Sequence, residues 1–114
     1  MAYRPALVPG TMTATATFDR SGRDLTVYLS GELDASSTPT VGAAIDEHLH
    51  EGDVRLSLDL SSLTFCDSSG LALLFRLNQR ANDTSTFFAI YAPTPFVRRI
   101  ITMCDPSGVL SIRS

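Results

Sequence analysis

The chain has 114 residues, 44% hydrophobic and 18% charged, which suits one domain with a packed core and argues against disorder. A formal net charge of −3 leaves no basic stripe to neutralise phosphates, so neither nucleic acid nor an acidic membrane surface is expected as a partner. All nine basic residues are Arg, and with no Lys the chain has no P-loop cation, no Schiff-base amine and no lysine general base.

The start of the chain, Met1 to Met12, has no signal-peptide core and carries Pro5, Pro9 and Gly10. It is expected as a loose arm, residues 1–12, ahead of a single domain at residues 13–114. No apolar run approaches the ~20 residues of a membrane helix. Cytoplasm is the default location.

Thr13 to Phe18 reads as a threonine-rich strand, and Asp19 to Asp24 as a polar turn around Gly22. Leu25 to Leu29 alternates and predicts a second strand, antiparallel to the first. Gly31-Glu32-Leu33-Asp34-Ala35 leads away from it. Ser36-Ser37-Thr38-Pro39 signals a helix start, with a hydroxyl cap before an early proline. Val41, Ala44, Ile45 and Leu49 form its apolar stripe, and Gly52 is a plausible stop.

Val54 to Leu60 predicts a third strand with Val54, Leu56, Leu58 and Leu60 on one face. A turn and a second helix, from Leu71 to about Ala81, follow. Thr86 to Ala92 reads as a central buried strand. Thr94-Pro95 repeats the cap-plus-proline signal and opens a third helix with Val97, Ile100, Ile101 and Cys104 on one side. Val109 to Ile112 closes as a last strand. The order β-β-α-β-α-β-α-β implies an α/β domain. It predicts a mixed, mostly parallel sheet of about five strands with about three main helices largely on one face. Cys66 and Cys104 lack a CxxC spacing and are expected as free, mostly buried thiols in a reducing compartment. No cofactor and no metal are expected.

The chemistry gathers at the turn into the second helix. Phe65-Cys66-Asp67-Ser68-Ser69-Gly70-Leu71 places two hydroxyls on the first exposed helical positions. Asp67 can cap that helix without any further function. Gly70 is harder to explain, because glycine in a helix costs ~1 kcal/mol relative to alanine, so a close approach by backbone or partner is expected there. Leu71-Ala72-Leu73-Leu74-Phe75 is apolar on every side, so Leu73 or Ala72 should point outward toward a partner. In open α/β sheets function sits at strand carboxyl ends. The loops Glu32–Thr38 and Leu63–Ser69 both leave such ends. If their strands are neighbours, Asp34 and Ser68 share a surface.

These residues resemble the anti-sigma-factor antagonists of the STAS domain family. Gly31-Glu32-Leu33-Asp34 looks like that family's motif after the second strand, and Phe65 to Leu71 like its phosphorylation-site motif. Pro95 to Ile101, with Ser107-Gly108-Val109, is similar to its closing helix and strand. The resemblance spans roughly Thr13 to Ile112, with a longer arm before Thr13 and a variant Cys66 inside the motif. It implies a non-enzymatic switch with no catalytic residue of its own. The unphosphorylated protein binds an anti-sigma factor that is also a serine kinase, and so frees a sigma factor for transcription. Phosphorylation of Ser68, with Ser69 as runner-up, ends the binding, and a metal-dependent, PP2C-type serine phosphatase restores it. The expected partner surface is Glu32, Asp34, Ser36, Ser37, Asp67, Ser69, Gly70, Leu71 and Leu73. The alternative within the fold is an unphosphorylated STAS scaffold subunit of a transport ATPase or signalling assembly. A hydrolase using Ser68 with His48 or His50 is disfavoured, because a G-x-S-x-G elbow is absent and both histidines fall at the far end of the first helix.

Overall fold

The structure, a computed structural model, describes residues 13–113, so the expected arm at residues 1–12 lies outside them. The order is β1 (Thr15–Ser21), β2 (Asp24–Leu33), α1 (Thr38–His48), β3 (Arg55–Cys66), α2 (Ser68–Asp83), β4 (Phe87–Tyr91), α3 (Pro95–Cys104) and β5 (Ile112–Arg113). The five strands line up in chain order, β1 antiparallel to β2 and the rest parallel. Three crossovers step the same way along the sheet, and right-handed connections then set the helices on one face. α1 packs on β1, β2 and α2, α2 on β3 and β4, and α3 on β3. The other face stays wet, with Tyr28 44% and Phe87 41% exposed. No helix among the described residues is long and apolar enough to cross a membrane.

The core is aliphatic, built from Leu25, Val27 and Leu29 of β2, Leu56, Leu58 and Leu60 of β3, and Ile45, Leu74, Leu77 and Ile101 of the helices. Val54 does not join this row. It is 53% exposed and precedes β3. β3 runs through to Cys66, well past the expected end at Leu60. It carries one extra residue against β2 between Asp59 and Ser62, and another between Leu63 and Phe65. Ser61 N and Oγ both donate to Asp59 Oδ1, which holds the first irregularity. Such insertions change the side-chain alternation. Burial accordingly moves from every second residue (Leu56, Leu58, Leu60) to every third (Leu63, Cys66).

Three further boundaries differ from expectation. β1 continues to Ser21, so the hairpin loop is only Gly22-Arg23, with Gly22 at φ 62° as a first-position turn glycine. Arg20, expected in the turn, reaches the helix side instead. It donates to Asp53 Oδ1 at 2.7 Å, Asp53 Oδ2 at 2.9 Å and His48 O at 2.6 Å. α1 ends at His48, short of Gly52, and His48 stacks on Phe18 at 3.7 Å. The last strand is Ile112–Arg113, because Asp105 takes the backbone N–H groups of Val109 (2.9 Å) and Leu110 (2.8 Å) that pairing would use. Cys104 is exposed, which corrects its expected burial.

The Arg20–Asp53 pair closes the end of the sheet opposite the candidate site. The guanidinium hydrogen bond is the main cause that holds the Asp53 carboxyl below its ordinary value of 3.8, and burial opposes it. A depressed folded pKa means stability that is present above the unfolded value and lost as pH falls through the folded one. Asp53→Asn is therefore expected to lower stability at pH 7 by about 1–3 kcal/mol. It is also expected to flatten the acid limb of a melting-temperature profile below about pH 4.

Candidate functional site

β2 and β3 are parallel neighbours, with Leu33 opposite Cys66 and Glu32 opposite Phe65. Asp67 N donates to Leu33 O at 3.2 Å, so the two carboxyl-end loops leave the sheet side by side, as expected. Gly31, at φ 89°, supplies the left-handed turn at the second β3 irregularity.

Asp67 caps α2. Its Oδ1 accepts from Ser69 N at 2.9 Å and Gly70 N at 3.3 Å, which satisfies two of the helix's free donors. Ser68 stands at the first helical position and is exposed, and Ser69 is half-buried.

Asp34 organises the neighbouring loop. Its Oδ1 accepts from Ser36 N (3.0 Å), Ser36 Oγ (2.8 Å) and Ser37 N (3.0 Å). These donors, the Ser36 hydroxyl first, hold the carboxyl below the ordinary carboxylate range. The Ser37 hydroxyl accepts from Asp34 N at 3.0 Å and lies 3.0 Å from Glu32 O. It therefore does not cap α1, contrary to the sequence signal, and Ser37 is only 2% exposed. Its role is to hold the loop from inside.

Gly70 answers to the core. A Cβ there would lie 2.6 Å from Cys66 Sγ and 3.0 Å from Leu33 Cδ2. The missing side chain is demanded from beneath, not by a partner. Leu71 and Leu73 are also buried, 7% and 3% exposed, so they do not present side chains outward. The Leu71–Phe75 run of α2 is apolar on nearly all sides because the sheet covers one side of the helix and α1 another. Of the two candidates for the outward position, Ala72 holds it. The surface within reach of a partner thus comprises Ser68, Ser69, Asp67, Asp34, Ser36 and Glu32, together with Ala72. Burial pushes the Cys66 thiol up to about 12, so it stays protonated at neutral pH beneath the turn.

Sequence reasoning missed the companions of this surface. Phe96 at the start of α3 is 47% exposed and stacks on Phe65 with ring centres 6.0 Å apart. Thr94 Oγ1 donates to Leu63 O at 3.1 Å and pins α3 to this end of the sheet. A groove of about 330 Å³ runs between α1 and α2 and begins at Ser69. Only packing of helices distant in sequence reveals it. His48 and His50 lie toward the opposite end of the sheet, where His50 N donates to Asp53 at 2.8 Å. Among the described residues, no group of three or more His, Cys, Asp or Glu is placed to hold a metal ion.

A mixed, mostly parallel sheet with its helices on one face and a capped serine turn beside an Asp-Ser loop defines the class. The family model described as Mlab, STAS domain, matches residues 16–111. The chain belongs to the STAS domain family. An anti-sigma F factor antagonist of Paenibacillus polymyxa is 33% identical over 89 residues, which cover 77% of this chain and 74% of that protein. The crystal structure of an anti-sigma factor antagonist from Mycobacterium paratuberculosis superposes with TM-score 0.80 at 24% identity, covering 92% of this chain and 89% of that one. The phosphorylated form of the Bacillus cell fate determinant SpoIIAA superposes with TM-score 0.68 at 19% identity, covering 88% and 92%.

Proposed function

We propose that this chain is a switchable anti-sigma-factor antagonist. Unphosphorylated, it binds an anti-sigma factor that is also a serine kinase and so releases a sigma factor. The kinase moves the γ-phosphoryl group of ATP to Ser68 Oγ. The hydroxyl proton is lost, ADP leaves, and the complex dissociates. A PP2C-type phosphatase hydrolyses the ester to serine and inorganic phosphate.

One observation carries this reading: Ser68 is exposed at the α2 amino terminus while its neighbours are held from within. The Asp67 carboxylate already serves Ser69 N and Gly70 N, and Ser69 turns partly inward. Relatives named anti-sigma factor antagonists, and a fold neighbour known in a phosphorylated form, support the assignment. A dianion at a helix amino terminus is favoured by the free N–H groups and the dipole, so the fold should tolerate it.

The test incubates the full chain with Mg²⁺-ATP and each purified anti-sigma factor of the host genome, followed by intact-mass measurement and peptide fragmentation. One phosphoryl group on Ser68, absent from Ser68→Ala, is the expected outcome. No transfer by any of them supports the unphosphorylated scaffold instead, and transfer to Ser69 alone moves the switch by one residue.

A further inference from the structure

A groove of about 330 Å³ runs between α1 and α2. Its sides are Pro39 and Ala43 on α1 and Ala72 on α2, and Leu73 contributes to its floor. Gly42 lets the helices approach closely, since a Cβ there would stand 3.2 Å from Leu73 Cδ1 and 3.1 Å from Arg76 Nη2. Ala43 and Ala72 are both exposed, so the apolar cleft is open along its length. Its volume sits at the bottom of the about 300–1,000 Å³ range of small-molecule pockets, and its open form suits an inserted side chain better than an enclosed ligand.

The two ends of the cleft differ chemically. One end is Ser69 and Thr38, and Thr38 Oγ1 is shut from solvent with no hydrogen-bond partner among the described residues. The other end holds Asp46 between two guanidiniums. Arg80 Nη1 lies 2.6 Å from Asp46 Oδ1, and Arg76 Nη2 lies 3.2 Å from Asp46 Oδ2. One carboxylate faces two cations, so this trio carries an uncompensated positive charge, and Arg76 is 49% exposed beside the cleft. An acidic group would be drawn there.

We infer that the cleft is the second anchor of the anti-sigma-factor interface. It receives an aliphatic side chain from a helix of that partner and sets an acidic residue of the same helix against Arg76. The inference rests on the proposed function, because the cleft opens at Ser69, one residue from the phosphoacceptor. It adds a contact that does not depend on Ser68 itself. Apolar packing in the cleft supplies affinity, and the Arg76 contact fixes the direction in which the partner helix lies.

The test titrates each purified anti-sigma factor of the host genome against the full, unphosphorylated chain. Ala72→Trp and Ala43→Trp fill the cleft from exposed positions and are expected to weaken binding at least ten-fold with unchanged melting curves. Arg76→Glu is expected to weaken it most at low salt. Met103→Trp, on the exposed side of α3, serves as the bulk control and is expected to bind like wild type. Should either tryptophan variant unfold, the other and Arg76→Glu still decide. Wild-type affinity in all three cleft variants, alongside a wild-type chain that binds, overturns the cleft and leaves the switch standing. A wild-type chain that binds no anti-sigma factor overturns both.

Discussion

Ser68→Asp is expected to melt like the wild-type protein and to lose its anti-sigma factor. Ser68 is exposed at the first position of α2, so a carboxylate there meets the positive end of the helix and displaces nothing from the core. An uncompensated charge within an interface commonly costs ~2–5 kcal/mol. That corresponds to roughly 30-fold to several thousandfold in affinity. Asp67 and the Asp34 carboxylate, already held ionised by the hydroxyl and N–H groups of Ser36 and Ser37, add to the negative field. Phosphoserine, with ~1.5–2 charges, should lie toward the upper end of that range. Ser68→Ala should bind constitutively. Calorimetric titration beside thermal melts checks both arms. A Ser68→Asp variant that unfolds, or that binds normally, would remove Ser68 from the mechanism.

Gly70→Ala is expected to have the opposite signature, with stability lost and the surface left intact. The added methyl would stand 2.6 Å from Cys66 Sγ, and both Cys66 and the neighbouring Leu33 are fully buried. Overpacking of this kind costs about 1–3 kcal/mol. The better helix propensity of alanine returns at most ~1 kcal/mol. The net loss corresponds to several degrees in melting temperature, at about 4–8 °C per kcal/mol for a domain near this size. Cys66→Ala removes the sulfur that the methyl meets, so the double variant should lose less than the sum of the two single ones. Strict additivity in denaturant titrations would place the strain elsewhere.

The two variants separate what the chain order showed from what only packing could show. The carboxyl-end loops, the Asp67 cap and the exposure of Ser68 follow from local signals, namely apolar alternation, a capping residue and the turn between strand and helix. The roles of Ser37, Gly70, Leu71 and Leu73 do not. Each looks outward in one dimension because hydroxyls, a glycine and an all-apolar helix are also the marks of a contact surface. They turn inward because α1 covers the second side of α2, and because Cys66 rises beneath Gly70. The short last strand escaped for a related reason, since Asp105 claims backbone donors that alternation alone would assign to a ladder. The cleft beside Ser69 needed Gly42 and Leu73, 31 residues apart, to meet.

The surplus residues in β3 make the stretch from Leu60 to Ser68 a ruler. The two irregularities keep Leu60, Leu63 and Cys66 all on the core side, so the surplus residues set how far β3 runs before the turn that carries Ser68. The hairpin at Gly22 lies at the other end of β2 and has open space around it, so it could lengthen without disturbing that measure. Tolerance to insertion is thus divided between the two ends of one sheet.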